Sequence, residues 1–389
     1  SSNSDAEIAN KLKELNIPLS VDEAKKIQFS FLNRPPTLTE LVLFSIQGSE
    51  HSSYKSSKNH IKHFLTDGKH VILGAKDDAG VVSLSVDNNG NRYGLVVSHE
   101  SHNHPSQIVP YEGAATGVGG NVRDVCCMGA EVMSLGDSLR FGDINRNKTK
   151  WISDGVVSGI AGYGNPLGIP NVCGDLYFDK EYNENCLVTV LTAGIVKEKS
   201  VIRSKAPENS GDYDLILVGK PTDNSGFGGA SFASLELEEE KKQQNKGAVQ
   251  EPNAFLERHI LKSTYALFDF LEKNNLINKV GFKDLGAGGV ACASIELADA
   301  AGLGAEVWVD KIHTSMPELD SHMILCSETQ ERFMWACPKD LTKTILDHYN
   351  VVFDLPNVSV GAQASVVGKI INEKHYSVYY KNKKIVDGP

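Results

Sequence analysis

The period of apolar and polar positions predicts a helical segment at the N-terminal end of the chain. Two S/T-x-x-E capping boxes, which begin at Ser20 and Thr37, are typical of helix starts. Pro35-Pro36 separates the two helices, because proline interrupts a helical pattern. We therefore predict a small helical linker or docking domain over residues 1–48.

From residue 49 the pattern changes to mixed α/β. Apolar residues at helical spacing predict a helix over 253–273, and a polar stretch at 197–211 is typical of a linker. Runs rich in β-branched residues predict strands over 81–86, 93–97, 186–196 and 214–219. We predict one α/β unit over residues 49–198 and a second over 212–389. A run of charge and glutamine at 236–246 predicts a solvated loop.

Length and charge narrow the classes of function. A chain of 389 residues has room for two or three domains. Its formal net charge of -10 argues against a nucleic-acid partner, because such binding depends on neutralising phosphates. No apolar run approaches the roughly 20 residues that span a bilayer, so we expect no membrane segment. The chain begins with Ser1-Ser2 instead of Met, and we expect it to be a piece of a longer product.

The seven cysteines are odd in number, scattered, and never spaced C-x-x-C. This spacing predicts neither a zinc site nor a disulfide framework. The natural compartment is then a reducing one, and we expect a cytoplasmic protein.

The densest polar segment follows a predicted strand and runs Glu100-Ser101-His102-Asn103-His104-Pro105-Ser106. Loops that follow strands commonly hold the ligand in α/β proteins. His102 can transfer protons near neutral pH, and Glu100 can bind a hard cation. The alternative interpretation is a hydrogen-bonded loop closed by a proline turn.

A glycine-rich segment at Gly113–Gly120 precedes Arg123 and Asp124. Backbone N–H groups in such a loop, or at the start of a following helix, suit a phosphate, and arginine and aspartate can add a phosphate contact and a Mg²⁺ ligand. The alternative is a flexible turn or close helix packing. No G-x-x-x-x-G-K-[ST] sequence occurs, which excludes a P-loop nucleotide site.

Three other segments carry candidate chemistry. Asp284 precedes glycines that only weakly imitate a dinucleotide fingerprint, and it is better explained as a metal ligand. The polar segment 327–332 is either a ligand contact or a helix cap. The segment His51-Ser52-Ser53-Tyr54-Lys55 suits either a nucleotide contact or a solvated loop.

Taken in order, the segments 49–55, 100–106, 113–124, 137–142 and 327–332 resemble those of the synthetase subunit of phosphoribosylformylglycinamidine synthase. Segments 162–170 and 228–234 add to the resemblance, which spans roughly residues 40–370. It implies α/β N- and C-terminal domains like those of aminoimidazole ribonucleotide synthetase, behind a helical linker domain. The full subunit contains two such halves in tandem, and this chain resembles the N-terminal half.

The resemblance also implies an activity. Formylglycinamide ribonucleotide, ATP and ammonia give formylglycinamidine ribonucleotide through an iminophosphate, in de novo purine synthesis, with Mg²⁺ as cofactor. The implied partners are a second synthetase half or a homodimer mate, a glutaminase subunit that releases ammonia from glutamine, and a small bridging subunit.

Residue roles follow from the same resemblance. His51 and His102 correspond to catalytic residues, His102 as proton acceptor, and Tyr54 to an ATP contact. The implied Mg²⁺ ligands are Glu100, Asp124 and Asp284. The implied substrate contacts are Ser101, His102, Asn103, His104, Arg123, Gln250, Glu328, Thr329 and Gln330.

One position departs from the family pattern. The family has a lysine that helps to hold ATP two residues before the metal-binding glutamate, and here that residue is Ser98. Lys55 is a candidate replacement for the missing cation. Two alternatives stay open: a non-catalytic scaffold or regulatory half that pairs with a catalytic half, and another synthetase or kinase of the same superfamily.

Overall fold

The computed structural model describes residues 4–229 and 246–389. The charged run predicted as a loop falls almost entirely outside these residues, as does most of the segment 228–234. Within the described ranges, no helix combines the length and the apolar character needed to cross a membrane.

Three helices form the N-terminal segment: α1 (Asp5–Glu14), α2 (Val21–Lys26) and α3 (Leu38–Gln47). Each begins with a complete capping box, in which the side chains of Ser4, Ser20 and Thr37 accept backbone N–H groups. A π-helical turn, Ile27–Leu32, follows α2. Two short helices, α4 (Glu50–Ser53) and α5 (Lys58–Ile61), lead into the first sheet.

The first sheet has six strands in the order β1-β2-β3-β6-β4-β5. Only the β4–β5 pair is parallel. Its helices are α6 (Asn103–Ile108), α7 (Pro110–Cys127) and α8 (Asn147–Leu167). The strands are β1 (Val71–Leu73), β2 (Gly80–Val86), β3 (Arg92–Ser101), β4 (Glu131–Phe141), β5 (Asn171–Phe178) and β6 (Leu187–Lys197).

The second sheet has seven strands in the order β13-β12-β9-β11-β7-β10-β8. Its helices are α9 (Ala254–Lys273), α10 (Gly289–Asp299), α11 (Ser321–Cys326), α12 (Lys339–Asp347) and α13 (Leu355–Val358). The strands are β7 (Asp214–Gly219), β8 (Gly281–Asp284), β9 (Gly304–Trp308), β10 (Arg332–Cys337), β11 (Gln363–Ile371), β12 (Tyr376–Tyr380) and β13 (Lys383–Gly388).

One continuous apolar core joins the two sheets. It contains Val118 of α7 and Val190 of β6 as well as Ile216 of β7 and Trp335 of β10, all buried. A second core lies on the other face of the second sheet and includes Ile46 of α3, so the N-terminal helices pack on that sheet. Because the core is shared, side chains from the two sheets meet at fixed positions.

The predicted fold class is confirmed by this architecture. The strands predicted over 81–86, 186–196 and 214–219 and the long helix at 253–273 are present within a residue or two, whereas the strand predicted over 93–97 extends over Arg92–Ser101. The exact boundaries 1–48, 49–198 and 212–389 stay predictions. One expectation is wrong: Gly113–Gly120 is not a loop but lies inside α7, where the helix uses its own backbone N–H groups.

Candidate active site

The segment after β3 begins the site. Glu100 and Ser101 are exposed at the end of β3, where they pair with Val190 and Thr189 of β6. The N–H of His102 donates to the Val188 carbonyl (2.8 Å), which ends the strand and starts the turn into α6. The strand end therefore sets the direction in which the polar segment leaves the sheet.

The tautomer of His102 is fixed by one backbone contact. Its Nδ1 lies against the carbonyl oxygen of Gly113, which can only accept, so Nδ1 carries the proton and donates. Burial lowers the pKa of His102 to about 4, and the charge of nearby His51 lowers it further. A neutral imidazole with its lone pair on Nε2 is the form that accepts a proton.

The short helix α4 carries His51 and is followed by Tyr54, and His51 lies near the His102 imidazole. Glu50 accepts hydrogen bonds from the backbone and hydroxyl groups of Ser56 and Ser57, which holds the turn that follows Tyr54. Burial, followed by the charges of Glu100, Glu296 and Asp124, raises the pKa of the half-exposed Tyr54 hydroxyl. Tyr54 therefore lies next to carboxylates contributed by three other elements.

Four carboxylates, which we call the acidic cluster, lie close enough to perturb each other: Asp78, Glu100, Asp124 and Asp284. Burial, followed by the charges of Glu100, Asp284 and Asp78, raises the pKa of Asp124 well above its usual value. Burial and the charges of Asp78 and Glu100 raise the pKa of Asp284 in the same way. The cluster combines residues of both sheets and of α7.

The acidic cluster has the chemistry of a divalent-cation site. Carboxylate oxygens are the ligands that Mg²⁺ prefers, and the mutual repulsion of several carboxylates is relieved when a cation binds. Among residues 4–229 and 246–389, however, no three or more His, Cys, Asp or Glu side chains already stand in a metal-binding arrangement. The assignment of Glu100, Asp124 and Asp284 as Mg²⁺ ligands therefore stays a prediction.

Arg123 links the acidic cluster to the second sheet. Its guanidinium is fully buried, with Nε 3.7 Å from Asp284 and Nη1 3.4 Å from Glu257 of α9. Nη2 donates to the amide oxygen of Gln330. Burial raises the pKa of Glu257 to about 8. As placed, Arg123 contacts protein groups on every side, and its predicted contact with a substrate phosphate stays untested.

The remaining predicted substrate residues of the second sheet form a buried hydrogen-bond network. Gln250 Nε2 donates to Glu328 (2.8 Å), and Glu328 also accepts the backbone N–H of Gly288 at the start of α10 (3.3 Å). The Thr329 hydroxyl donates to Asp223 (2.8 Å). Every predicted contact in this group is less than a tenth exposed. The segment 327–331 is neither helix nor strand, and Ser327 ends α11.

Asn103 and His104 of the predicted polar segment lie in the first turn of α6. The Asn103 side-chain oxygen accepts the N–H of Val188 (2.8 Å), so this amide caps the start of β6. His104 is half-buried in the first turn of α6. The structure thus brings Glu100, Asp124 and Asp284 together in the acidic cluster, with Tyr54 near the first two. It separately places His51 near His102, and it joins Gln250 to Glu328 and Arg123 to Gln330.

Sequence reasoning missed several residues of the site. Asp78 precedes β2, Glu257 and Glu296 lie on α9 and α10, and Lys283 stands immediately before Asp284. In the sequence, Asp78 and Lys283 could have been noticed as charged residues near the ends of strands. Glu257 and Glu296 could have been noticed as carboxylates among the apolar residues of a helix. Lys55, proposed as a replacement cation, forms an ion pair with Glu23 of α2 instead (2.8 Å).

Comparisons with known proteins decide the family. The pattern "AIR synthase related protein, N-terminal domain" matches residues 76–196, and the corresponding C-terminal domain matches residues 213–381. The "Formylglycinamide ribonucleotide amidotransferase linker domain" matches residues 8–55. The chain belongs to the AIR synthase-related family. The resemblance noted in the sequence motifs is thereby confirmed.

PurL proteins are among the relatives that this chain resembles. The chain is 45% identical over 391 aligned residues to phosphoribosylformylglycinamidine synthase subunit PurL of Methanothrix thermoacetophila, covering 99% of this chain and 50% of that protein. Among solved structures, Thermotoga maritima PurL complexed with FGAR matches with a TM-score of 0.78 and 32% identity, covering 95% of this chain and 55% of that one.

Two more structures of the Thermotoga maritima protein match in the same way. PurL complexed with ATP gives a TM-score of 0.75 at 30% identity, covering 95% of this chain and 54% of that one. The structure of PurLQS gives 0.75 at 31%, with the same coverage. The chain spans about half the length of the PurL proteins that it matches.

Proposed function

We propose that this chain forms one half of an ATP-dependent synthetase that converts formylglycinamide ribonucleotide and ammonia into formylglycinamidine ribonucleotide. The proposal rests on one observation above all: in a chain 45% identical to a PurL subunit, Glu100 at the end of β3, Asp124 of α7 and Asp284 of β8 lie close enough for the charges of Glu100 and Asp284 to add to the effect of burial on the pKa of Asp124. The similar Thermotoga maritima protein has been solved with both FGAR and ATP, which supports the choice of substrates.

The proposed chemistry overcomes the poor reactivity of an amide. The amide oxygen of the substrate attacks the γ-phosphorus of ATP, ADP leaves, and an O-phosphorylated imidate, the iminophosphate, forms. Ammonia then adds to the imidate carbon, a proton is removed, and inorganic phosphate leaves with the former amide oxygen. His102, held neutral by burial with its lone pair on Nε2, is suited to take that proton.

The carboxylates of the site would hold the metal. Glu100 and Asp124 from the first unit and Asp284 from the second are the residues that fit Mg²⁺. The bound ion would supply neutralisation of charge that develops on the transferred phosphoryl group. Tyr54, whose hydroxyl lies in the field of the same carboxylates, is placed to contact the nucleotide.

Two observations indicate partners: the chain spans about half the length of its relatives, and the edge strand β5 of its first sheet is exposed. The strand β5 is the last strand of its sheet and pairs only with β4, and its residues Val172, Leu176 and Tyr177 are more than half exposed. An uncovered edge with apolar side chains favours pairing with another sheet. We propose that a second synthetase half, or a second copy, covers it, and that glutaminase and bridging subunits join the assembly. The similarity to the solved structure of PurLQS from Thermotoga maritima supports an assembly with other subunits. A cytoplasmic location fits an enzyme of de novo purine synthesis.

A reconstitution assay tests the function. The chain is mixed with formylglycinamide ribonucleotide, ATP, Mg²⁺ and ammonium, alone and with a chain that carries the second half, and phosphate release is followed. We expect release with the second half present, and a loss of at least about a hundredfold in His102→Asn, because general base catalysis contributes about that much. His63→Asn, on an exposed surface, is the matched control.

The same assay separates the alternatives. Release from the chain alone would refute a purely scaffolding role. Absence of release with the second half, together with unaltered binding of that half, would refute the catalytic proposal and support a scaffold. Consumption of ATP that depends on selenide or on thiamine monophosphate as acceptor would point to another enzyme of the superfamily.

A further inference from the structure

A buried lysine stands in the middle of the acidic cluster. Lys283 is the third residue of β8, and its side chain is 13% exposed. Its ammonium pairs with Asp78, from the turn before β2, and lies 2.9 Å from Glu296 of α10. It is therefore held between the two α/β units, at the place where the acidic side chains meet.

Lys283 lies next to the proposed metal ligands. It directly precedes Asp284 in β8, and Arg123, the neighbour of Asp124 in α7, has its Nε 3.7 Å from the Asp284 carboxylate. A cation in such a position offsets part of the repulsion that a polyphosphate would otherwise meet among carboxylates.

The position that holds a lysine in the resembled family carries a short, uncharged side chain here. Ser98 is buried in β3, its hydroxyl donates to Asp124 (3.1 Å), and it accepts from the Asn121 amide (2.8 Å). Ser98 thus touches one of the proposed metal ligands. A lysine is therefore missing at this position of the first sheet, whereas Lys283 of the second sheet stands beside another proposed ligand, Asp284.

We propose that Lys283 is a nucleotide-binding residue of this chain, and that its ammonium contacts the polyphosphate of ATP in place of a cation at position 98. This inference rests on the proposed function and goes further, because it assigns the binding role to a residue on β8. An ammonium has three N–H donors. Asp78 and Glu296 engage the ammonium on two sides, and the proposed phosphate contact would use the remaining N–H.

The test is the dissociation constant of Mg²⁺-ATP, measured by titration calorimetry on the 389-residue chain. We expect Lys283→Gln to weaken binding about tenfold to a hundredfold, which is typical for loss of a hydrogen bond to a charged group. Lys283→Arg should retain most of the affinity. Lys279→Gln, four residues earlier and exposed, should leave it unchanged.

A rescue variant makes the assignment specific. If the two positions supply the same cation, Ser98→Lys in the Lys283→Gln background should recover at least a tenfold part of the loss. The double variant Asp78→Asn, Lys283→Gln removes both charges of the buried pair. Its affinity for Mg²⁺-ATP can therefore be compared with that of the wild type if Lys283→Gln alone fails to fold.

The outcomes distinguish this inference from the proposed function. Equal affinity of the wild type and both Lys283→Gln proteins, with ATP bound by each, overturns the role of Lys283 and leaves the synthetase proposal standing. No binding of Mg²⁺-ATP by the wild-type chain, alone or with the second half, overturns both. Binding of formylglycinamide ribonucleotide, measured in parallel, should be the same in all folded variants.

Discussion

A substitution of Gly113 tests why the central helix of the site is rich in glycine. In α7 the glycines do not cradle a phosphate; they allow neighbouring backbone to approach. A Cβ atom on Gly113 would lie 2.5 Å from the carbonyl carbon of Pro105 and still closer to the backbone nitrogen of Ser106. Both belong to α6, which carries the polar segment of the site.

The size of the effect follows from two opposing terms. Alanine is favoured over glycine inside a helix by about 1 kcal/mol. Overpacking against atoms that cannot rotate away costs typically 1–3 kcal/mol, occasionally more, and a backbone contact below 3 Å lies at the upper end. We therefore expect Gly113→Ala to lower the free energy of unfolding by about 1–3 kcal/mol after both terms are combined.

Gly120 provides the matched control in the same helix. A Cβ there would meet only the end of the Arg123 side chain, at 3.8 Å. Gly120→Ala should therefore raise the free energy of unfolding by about 0.5–1 kcal/mol. Urea denaturation followed by circular dichroism measures both variants. Equal midpoints for the two variants, or stabilisation by Gly113→Ala, would refute the packing argument.

Three further predictions concern other parts of the chain. Gly117→Ala places a Cβ 2.9 Å from that of His102 and must displace this residue. Phosphate release in the reconstituted assay should therefore fall at least about tenfold, and unchanged release contradicts this. Burial lowers the pKa of His313 to about 4, so between pH 6.5 and 4 the unfolded chain binds a proton that the folded chain does not. The free energy of unfolding should therefore fall by about 3 kcal/mol from this group as the pH drops from 6.5 to 4. His313→Gln should flatten this dependence of the free energy of unfolding on pH, measured by urea titration. Glu40 is 1% exposed and accepts hydrogen bonds from Arg34 with both carboxylate oxygens. Glu40→Ala should therefore lower the free energy of unfolding by about 1–3 kcal/mol in the same titration. An unchanged free energy of unfolding would contradict a stabilising contact between the linker helices and the second sheet.

Local signals in the sequence predicted much of the fold. The capping boxes at Ser20 and Thr37 depend only on residues three positions apart, and both form as expected. The strand at 214–219 is buried over nearly its whole length, so a continuous apolar run identified it. Such features are encoded by neighbours along the chain, which is why a single sequence suffices to predict them.

The features that sequence reasoning missed depend on contacts between distant residues. Glycine favours a loop in the absence of other information, but in α7 the close approach of α6 and of Tyr163 on α8 makes small residues necessary inside a helix. Lys283 could not be assigned because its partners Asp78 and Glu296 lie on other elements. Lys55 was a reasonable candidate by its position after Tyr54, but Glu23 engages it.

The site belongs to the junction of the two units and not to either one. Glu100 and Asp124 come from the first sheet and its helix, whereas Asp284 and Gln330 come from the second sheet, and Arg123 contacts both of the latter. The shared apolar core fixes the distance between the units, since a shift of one against the other would unpack buried residues on both sides. A change in that core should therefore alter the acidic cluster without touching it.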